Sequence, residues 1–269
     1  MKLAALLTCH NRRELTLACL RSLMRVAPRI DIYLTDDGST DGTAEAVVRE
    51  FPQVRILQGD GTLYWNRGMY RAWQAALAGE YDYYLWLNDD LELQPGFLDE
   101  LLQCALMQED PSIVCGIVAD QASGEVIYGG YDAQRRLVQP AACPQRIRLM
   151  NGNAVLVPHA VVRQIGILDP YFLHDLGDLD YGLRAQEQGI PVLSTRCVVA
   201  LGHRNDVCRI RRWGTTIRGR FQRLNAPLGS PLRQNFYYRR RHFGWLHAVA
   251  FCTYVLVLNL LPDAWVRKI

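Results

Sequence analysis

The sequence predicts an α/β fold with a mostly parallel central sheet flanked by helices and a basic, apolar helical extension at its C-terminus. Three observations carry that reading. Short apolar runs alternate with stretches of helical periodicity as far as Pro111, polar turns rich in acids and small residues close several of those runs, and the composition shifts to arginine and aromatics from Arg204. Strands alternating with helices at this spacing argue for βαβ units and for a sheet covered on both faces, whose ligands gather beyond the carboxyl ends of the strands.

In chain order, "KLAALLTCHNRRELTLACLRSLMRV" reads as a strand, a polar turn and a helix with Leu17, Leu20, Leu23 and Met24 at helical spacing. "IDIYLTDDGSTDGTAEAVVREF" repeats the pattern with a helix from about Thr43, "VRILQGD" is a third strand and "MYRAWQAALAG" a third helix. "YDYYLWLNDD" is a fourth strand, unusually aromatic, and "PGFLDELLQCALMQ" is a helix. Beyond Pro111, "SIVCGIVAD", "EVIYGGYD" and "NAVLVP" read as strands of a mixed or antiparallel section before the helix "GDLDYGLRAQEQG". Two regions are expected, 1–205 and a membrane-association segment 206–269.

With 49% apolar and 21% charged residues, the chain has the composition of a folded protein. Its net charge of +3 hides an asymmetry: Met1 to His203 carries 17 basic and 25 acidic residues, whereas Arg204 to Arg241 carries 11 arginines against Asp206 alone. A basic block beside an acidic body points to phosphate or anionic headgroups, with nucleic acid as the competing reading. The eight cysteines show no metal-type spacing and read as reduced core thiols. The N-terminal apolar run reads as a first strand and lacks a cleavage site, which leads to a cytoplasmic expectation. Phe243 to Leu261 is a stretch of 19 residues without a formal charge. It is just long enough to span a bilayer at about 20 residues, yet an interfacial helix or a buried one also fits. Arg239 to Arg241 would hold its flank on the cytoplasmic side.

The chemistry-bearing residues cluster in the turns. Adjacent carboxylates such as Asp89 and Asp90 at a strand end repel unless a cation neutralises them, which suits an oxygen-ligated Mg²⁺ or Mn²⁺; an exposed turn or helix cap is the bland alternative. The turn Asp36-Asp37-Gly38-Ser39-Thr40-Asp41-Gly42 offers donors and acceptors for a base or ribose, or simply caps the next helix. Asp178 stands at the mouth of a helix, where a carboxylate can act as general base or as a cap.

Taken in order, these motifs resemble the family 2 glycosyltransferases of the GT-A fold, a Rossmann-like architecture, across roughly residues 1–205. "TCHNR" is similar to the family's first-strand T-x-Y-N-R with His10 for the aromatic, and "DDGSTDGT" matches its second-strand motif. "GDGTLYWNRGMYRAW" resembles the segment found in rhamnosyltransferase-like members, "NDD" stands at the D-x-D metal motif, "GDLDYGLR" at E-D-x-D-x-x-x-R, and "LGH" at a late histidine. The resemblance implies that Thr8, His10, Asn11, Arg12, Asn66 and Arg67 line the nucleotide, that Asp37 with Asp36 meets the base, and that Asp89 faces the ribose. It implies Asp90 and His203 as ligands of Mn²⁺ or Mg²⁺ and Asp178 as the catalytic base. Asn88 replaces the first acid of D-x-D and is the member of its triplet expected to tolerate change best. Gly177 replaces the family's glutamate and leaves Asp175 as a rival base.

The implied reaction is inverting transfer of a sugar, rhamnose as first guess, from a nucleoside-diphosphate donor to a hydroxyl of a lipid-linked or glycan acceptor in cell-surface glycan synthesis. Arg211 and Arg212 are candidate contacts to a diphosphate, or to headgroups if the chain sits as a peripheral or monotopic protein on the cytoplasmic face of the plasma membrane. No nucleic-acid partner is expected. A metal-dependent nucleotidyltransferase would also use paired acids, but "TCHNRRE" lacks the glycine-rich basic loop that class needs; a non-catalytic anion-binding module leaves the ordered acidic turns without a role.

Overall fold

The computed structural model describes residues 1–204, 210–211 and 213–266, and the chain divides into two compact units: Met1–Pro170 with Gly177–Arg204, and Tyr171–Leu176 with Asn205–Ile269. The first unit is built on one sheet. β1 (Leu3–Cys9), α1 (Arg13–Val26), β2 (Asp31–Asp36), α2 (Thr43–Glu50), β3 (Arg55–Gln58), α3 (Tyr64–Ala76) and β4 (Tyr83–Leu87) follow the alternation visible in the sequence. β5 (Glu92–Leu93), α4 (Phe97–Leu106), β6 (Ile113–Asp120), β7 (Val126–Tyr128), β8 (Ala154–Pro158), α5 (His159–Ile165), α6 (Gly177–Glu187) and β9 (Val192–Gly202) complete it.

The strands lie in the order β3-β2-β1-β4-β8-β6-β9-β5, with β7 beside β6. This is a mixed sheet, not the mostly parallel one expected. β1 runs parallel to β2 and β4, β2 to β3, and β6 to β9, whereas β8 is antiparallel to both β4 and β6, and β5 and β7 are antiparallel edges. Inside the sheet the departure is β8, which follows β6. There the chain returns through β7 and irregular backbone rather than through a crossover helix, so β8 enters the sheet from the opposite direction.

β4 is central, and Tyr84, Leu85, Trp86 and Leu87 are all fully buried. Successive side chains of a strand point to opposite faces, which splits the core in two. Leu85 and Leu87 pack with Leu20 and Leu23 of α1 and with Phe97 and Leu101 of α4. Tyr84 and Trp86 pack with Met69 and Trp73 of α3 and Tyr181 of α6. Trp86 stands edge-on to Trp73 and to Tyr181, each at 5.2 Å between centroids. The aromatic character of β4 thus has a purpose in the fold: broad rings fill the layer on which α3 and α6 rest.

The second unit contains α7 (Ile217–Asn225), α8 (Leu232–Phe243), α9 (Trp245–Leu260) and α10 (Asp263–Val266). Gly244, at φ +86°, turns α8 into α9 in a conformation that costs other residues more. Arg211 donates to the carbonyl of Leu261 at 3.0 Å and to Asp263 at 2.5 Å, and Arg220 donates to the same two residues at 2.6 and 2.9 Å. The side chain of Arg211 is 1% exposed, so it closes the end of α9 and does not present itself to a phosphate as expected. α9 keeps large apolar side chains outside: Trp245 is 62% and Leu246 88% exposed, and Val249, Tyr254, Val257 and Leu260 are exposed with them. Among the described residues no helix is long and apolar enough to cross a membrane.

Candidate active site

β2, β1 and β4 are neighbours running in one direction, so the turns that follow them open on the same end of the sheet. The first two turns are stitched together. Asn11, held at φ +51°, donates its backbone N–H to Ser39 Oγ at 2.9 Å and accepts from Thr40 N at 2.7 Å. Arg13 N donates to Asp41 at 3.0 Å, and His10 Nδ1 lies 2.6 Å from the carbonyl of Asp37. Asp36, fully enclosed, accepts from Ser39 N.

Asp37, expected beside the base, also braces the backbone. The residue is 3% exposed, and its carboxylate accepts backbone N–H groups from Gly61 at 2.9 Å, Leu63 at 3.2 Å and Tyr64 at 2.9 Å. A helix start leaves several amides without partners, and Asp37 satisfies those of α3 from another strand. It ties the turn after β2 to the segment that leads into α3. Thr8 lies against Gly68 of α3, where an added Cβ would overlap its side chain. Asn66 is buried and donates to the carbonyl of Asp169 at 2.8 Å, and Arg67 donates to that of Pro170 at 2.8 Å. Both residues, expected along a nucleotide, tie α3 to backbone at Asp169 and Pro170.

At the end of β4 the acids behave as a pair. Asp89 is buried, accepts from Thr16 Oγ1 at 3.1 Å, and its carboxyl is pushed up to about 6 by burial, an effect the Arg12 charge partly offsets. Arg12 Nη1 lies 2.8 Å from Asp90 Oδ2 and 3.5 Å from Asp89 Oδ1. Asn88, expected to tolerate change, is bound on both sides: its Oδ1 accepts from Trp65 Nε1 at 2.9 Å and its Nδ2 donates to Asn153 Oδ1 at 2.7 Å. Because indole N–H can only donate, the amide has one orientation available there, and an aspartate could not reproduce both bonds unaided.

Trp65 is the site residue that motif reading missed. Its indole N–H faces Asn88 while the far edge of the ring covers Gly152, so closely that an added Cβ there would stand 2.6 Å from Trp65 Cζ2 and 3.2 Å from Asp178 Cβ. Asp178, in the first turn of α6, accepts the N–H of Gly152 at 2.9 Å and of Leu179 at 2.8 Å, which fixes the plane of its carboxylate. The ring therefore joins the end of β4 to the mouth of α6. The available signal was an aromatic pair opening the helix in "GTLYWNRG".

His203 comes to the acids through strand register. β5 pairs with β9 antiparallel, Glu92 opposite Leu201, and Asp90 and His203 lie two residues from that pair, just before β5 and just after β9. Asp90, Glu92, Gln121 and His203 line a cavity of about 760 Å³ together with apolar residues of α1 such as Leu15 and Met24. Among the described residues no three His, Cys, Asp or Glu side chains converge tightly enough to hold a metal ion by themselves. Asp175 belongs to the second unit, Arg211 is buried there, and Arg212 lies outside the described residues.

Residues 5–155 match the family model described as glycosyl transferase family 2. Over 193 residues the chain is 25% identical to the N-acetylglucosaminyl-diphospho-decaprenol L-rhamnosyltransferase of Mycobacterium tuberculosis, in strain CDC 1551 / Oshkosh and equally in strain H37Rv. That alignment takes in 60% of this chain and 62% of the relative's length. Among solved structures, S. aureus TarS 1-349 matches with a TM-score of 0.61 at 12% identity, over 97% of this chain and 71% of that one. GalNAc-T7, solved with UDP, GalNAc and Mn²⁺, matches with a TM-score of 0.61 at 15% identity, over 90% of this chain and 50% of that one. The structural likenesses speak for the fold, a mixed α/β sheet of the GT-A kind. The family model covers more than half of the sequence and ends inside β8, past all three of the turns that meet at the sheet's open edge; the chain belongs to glycosyl transferase family 2.

Proposed function

We propose that this glycosyltransferase is an inverting, metal-dependent enzyme that moves a sugar, rhamnose as the leading candidate, from a nucleoside diphosphate to a hydroxyl of a lipid-linked acceptor at a membrane surface. The observation that carries this reading is the Asp89–Asp90 pair with a guanidinium at bonding distance, joined through Trp65 to a carboxylate in the first turn of α6. The sugar and acceptor rest on the mycobacterial relative, whose name specifies both.

The donor set fits a hard divalent cation. Two carboxylates lie side by side, and a positive group already stands against them. Mg²⁺ in particular is commonly held by one or two carboxylates plus substrate phosphates, which agrees with the absence of a three-residue cluster among the described residues. Asp90, with Asp89 beside it and His203 across the same cavity, would hold the ion; when bound it would neutralise charge gathering on the departing diphosphate.

The remaining work falls to the chain itself. Asp178 takes the proton of the acceptor hydroxyl on a carboxylate oriented by the amides of Gly152 and Leu179. The acceptor oxygen forms its bond to the anomeric carbon as the bond to the phosphate oxygen breaks, and the electron pair leaves with the nucleoside diphosphate. Trp65 holds Asn88, and through it the direction in which Asp89 and Asp90 leave the strand. The exposed apolar side chains of α9 and the arginines at the end of α8 support an interfacial seat on anionic lipid, on the cytoplasmic face, over a spanning one.

Screening donor hydrolysis against a panel of sugar nucleotides, with Mn²⁺ and with chelator, tests the reading. Metal-dependent turnover of a deoxysugar nucleotide is expected. Asp178→Asn should abolish transfer and spare donor binding, whereas Asp90→Ala should weaken metal-dependent binding. Turnover unaffected by chelator, or an Asp178→Asn enzyme as fast as the wild type, would overturn it.

A further inference from the structure

We infer that Arg12 is a built-in counter-cation which occupies the place of the divalent ion in the nucleotide-free chain and makes metal entry depend on the arrival of the donor diphosphate. The inference rests on the metal reading of Asp89 and Asp90 given above. One Arg12 nitrogen reaches both acids, 2.8 Å from Asp90 and 3.5 Å from Asp89. The Asp89 side chain is 7% exposed and that of Asp90 20%, so solvent alone screens them poorly, while that of Arg12 is 47% exposed and has room to leave.

What can move is narrowly defined. The backbone around Arg12 is pinned on both sides, by Asn11 to Ser39 and Thr40 and by Arg13 N to Asp41. Asp89 is pinned from behind by Thr16. The mobile part is the Arg12 side chain. A cation binding the oxygen of Asp90 that faces Arg12 must displace the guanidinium, whose recorded ion pairs are with Asp90 and Asp89. A diphosphate offers it another anion, and the planar fork of arginine matches phosphate oxygens better than an ammonium does. Nucleotide would draw Arg12 away, expose the acids and bring phosphate oxygens for the ion. Linkage then requires the metal to strengthen nucleotide binding by the same factor.

The test measures metal binding directly. Mn²⁺ titrations of the full chain, followed by the EPR signal of free Mn²⁺ and by calorimetry, are made alone and with UDP, GDP or dTDP, on wild type, Arg12→Gln and Arg12→Lys. Wild type should bind Mn²⁺ weakly alone and about tenfold or more tightly with a matching nucleotide, within the range of ordinary coupling energies. Arg12→Gln should bind Mn²⁺ alone about tenfold more tightly than wild type and lose most of the enhancement. Arg12→Lys keeps the charge without the fork and should fall between, which preserves a reading if the glutamine variant folds poorly. Folded variants with the wild-type affinity for Mn²⁺ alone would make Arg12 an ordinary ion pair and overturn the inference. Absence of Mn²⁺ binding in wild type and both variants, with and without nucleotide, would overturn the metal reading and this inference with it.

Discussion

Gly177→Ala puts one methyl group into the most crowded junction of the site. A Cβ at Gly177 would overlap Asn66 Oδ1 and stand 2.6 Å from Asn66 Cγ, and Asn66 is a buried amide donating to Asp169 at 2.8 Å. Either α6 shifts or Asn66 rotates away. Overpacking of this kind costs about 1–3 kcal/mol, and breaking the Asn66 bond in a buried setting about 1–3 kcal/mol more. Replacing glycine in a helix returns up to about 1 kcal/mol, leaving a net loss on the order of 3 kcal/mol. For a chain of this size that corresponds to a fall in Tm of roughly 6–12 °C, read by calorimetry or dye-monitored melting. Because Asp178 is the next residue, transfer should fall as well. The cycle with Asn66→Ala isolates the cause: in that background the Gly177→Ala penalty should nearly vanish. A melting temperature within about 1 °C of wild type for the single variant, or an undiminished penalty in the double variant, would refute the packing argument.

Glu100 offers a test by pH. Hydrogen bonds from Arg196, the shortest at 2.6 Å, hold its carboxyl down at about 2 against an ordinary 4.5. A depressed carboxyl contributes stability that is complete above its unfolded value and is lost as pH falls from about 4.5 towards 2, on the order of 2 kcal/mol after allowing for the partly exposed arginine. Melting curves should show that acid loss, and Glu100→Gln should flatten it; an equally steep acid limb in the variant would sink the assignment. On α9, Trp245→Ser combined with Leu246→Ser removes the two most exposed apolar side chains of its first turn. At about 1.5–3 kcal/mol for each buried side chain, partition onto vesicles containing anionic lipid should drop about a hundredfold or more, and unchanged cosedimentation would dismiss α9 as the lipid-facing element.

Much of the site was legible because its motifs are local. The acids after β4, the acidic turn after β2 and the "TCHNR" turn after β1 are each read from a few consecutive residues, and an aromatic strand between helical segments announces a covered sheet. The partner of each strand is less visible. "NAVLVP" reads as part of a mixed or antiparallel section, but that β8 joins β4 follows from the path the chain takes between β6 and β8.

The sequence by itself determined which residues carry charge at the strand ends, and hence that three polar turns would gather at one end of a sheet. Only the tertiary structure decided which of those groups the chain keeps for its own use. Asp37 went to the amides of α3, Asn66 and Arg67 to backbone at Asp169 and Pro170, and Arg211 to the end of α9, while Trp65 was brought between Asn88 and Asp178. The physical reason is that a buried polar group must find a partner wherever the fold supplies one, and that partner often lies far along the chain. A motif shows what a residue can bind; long-range packing settles what it is already holding.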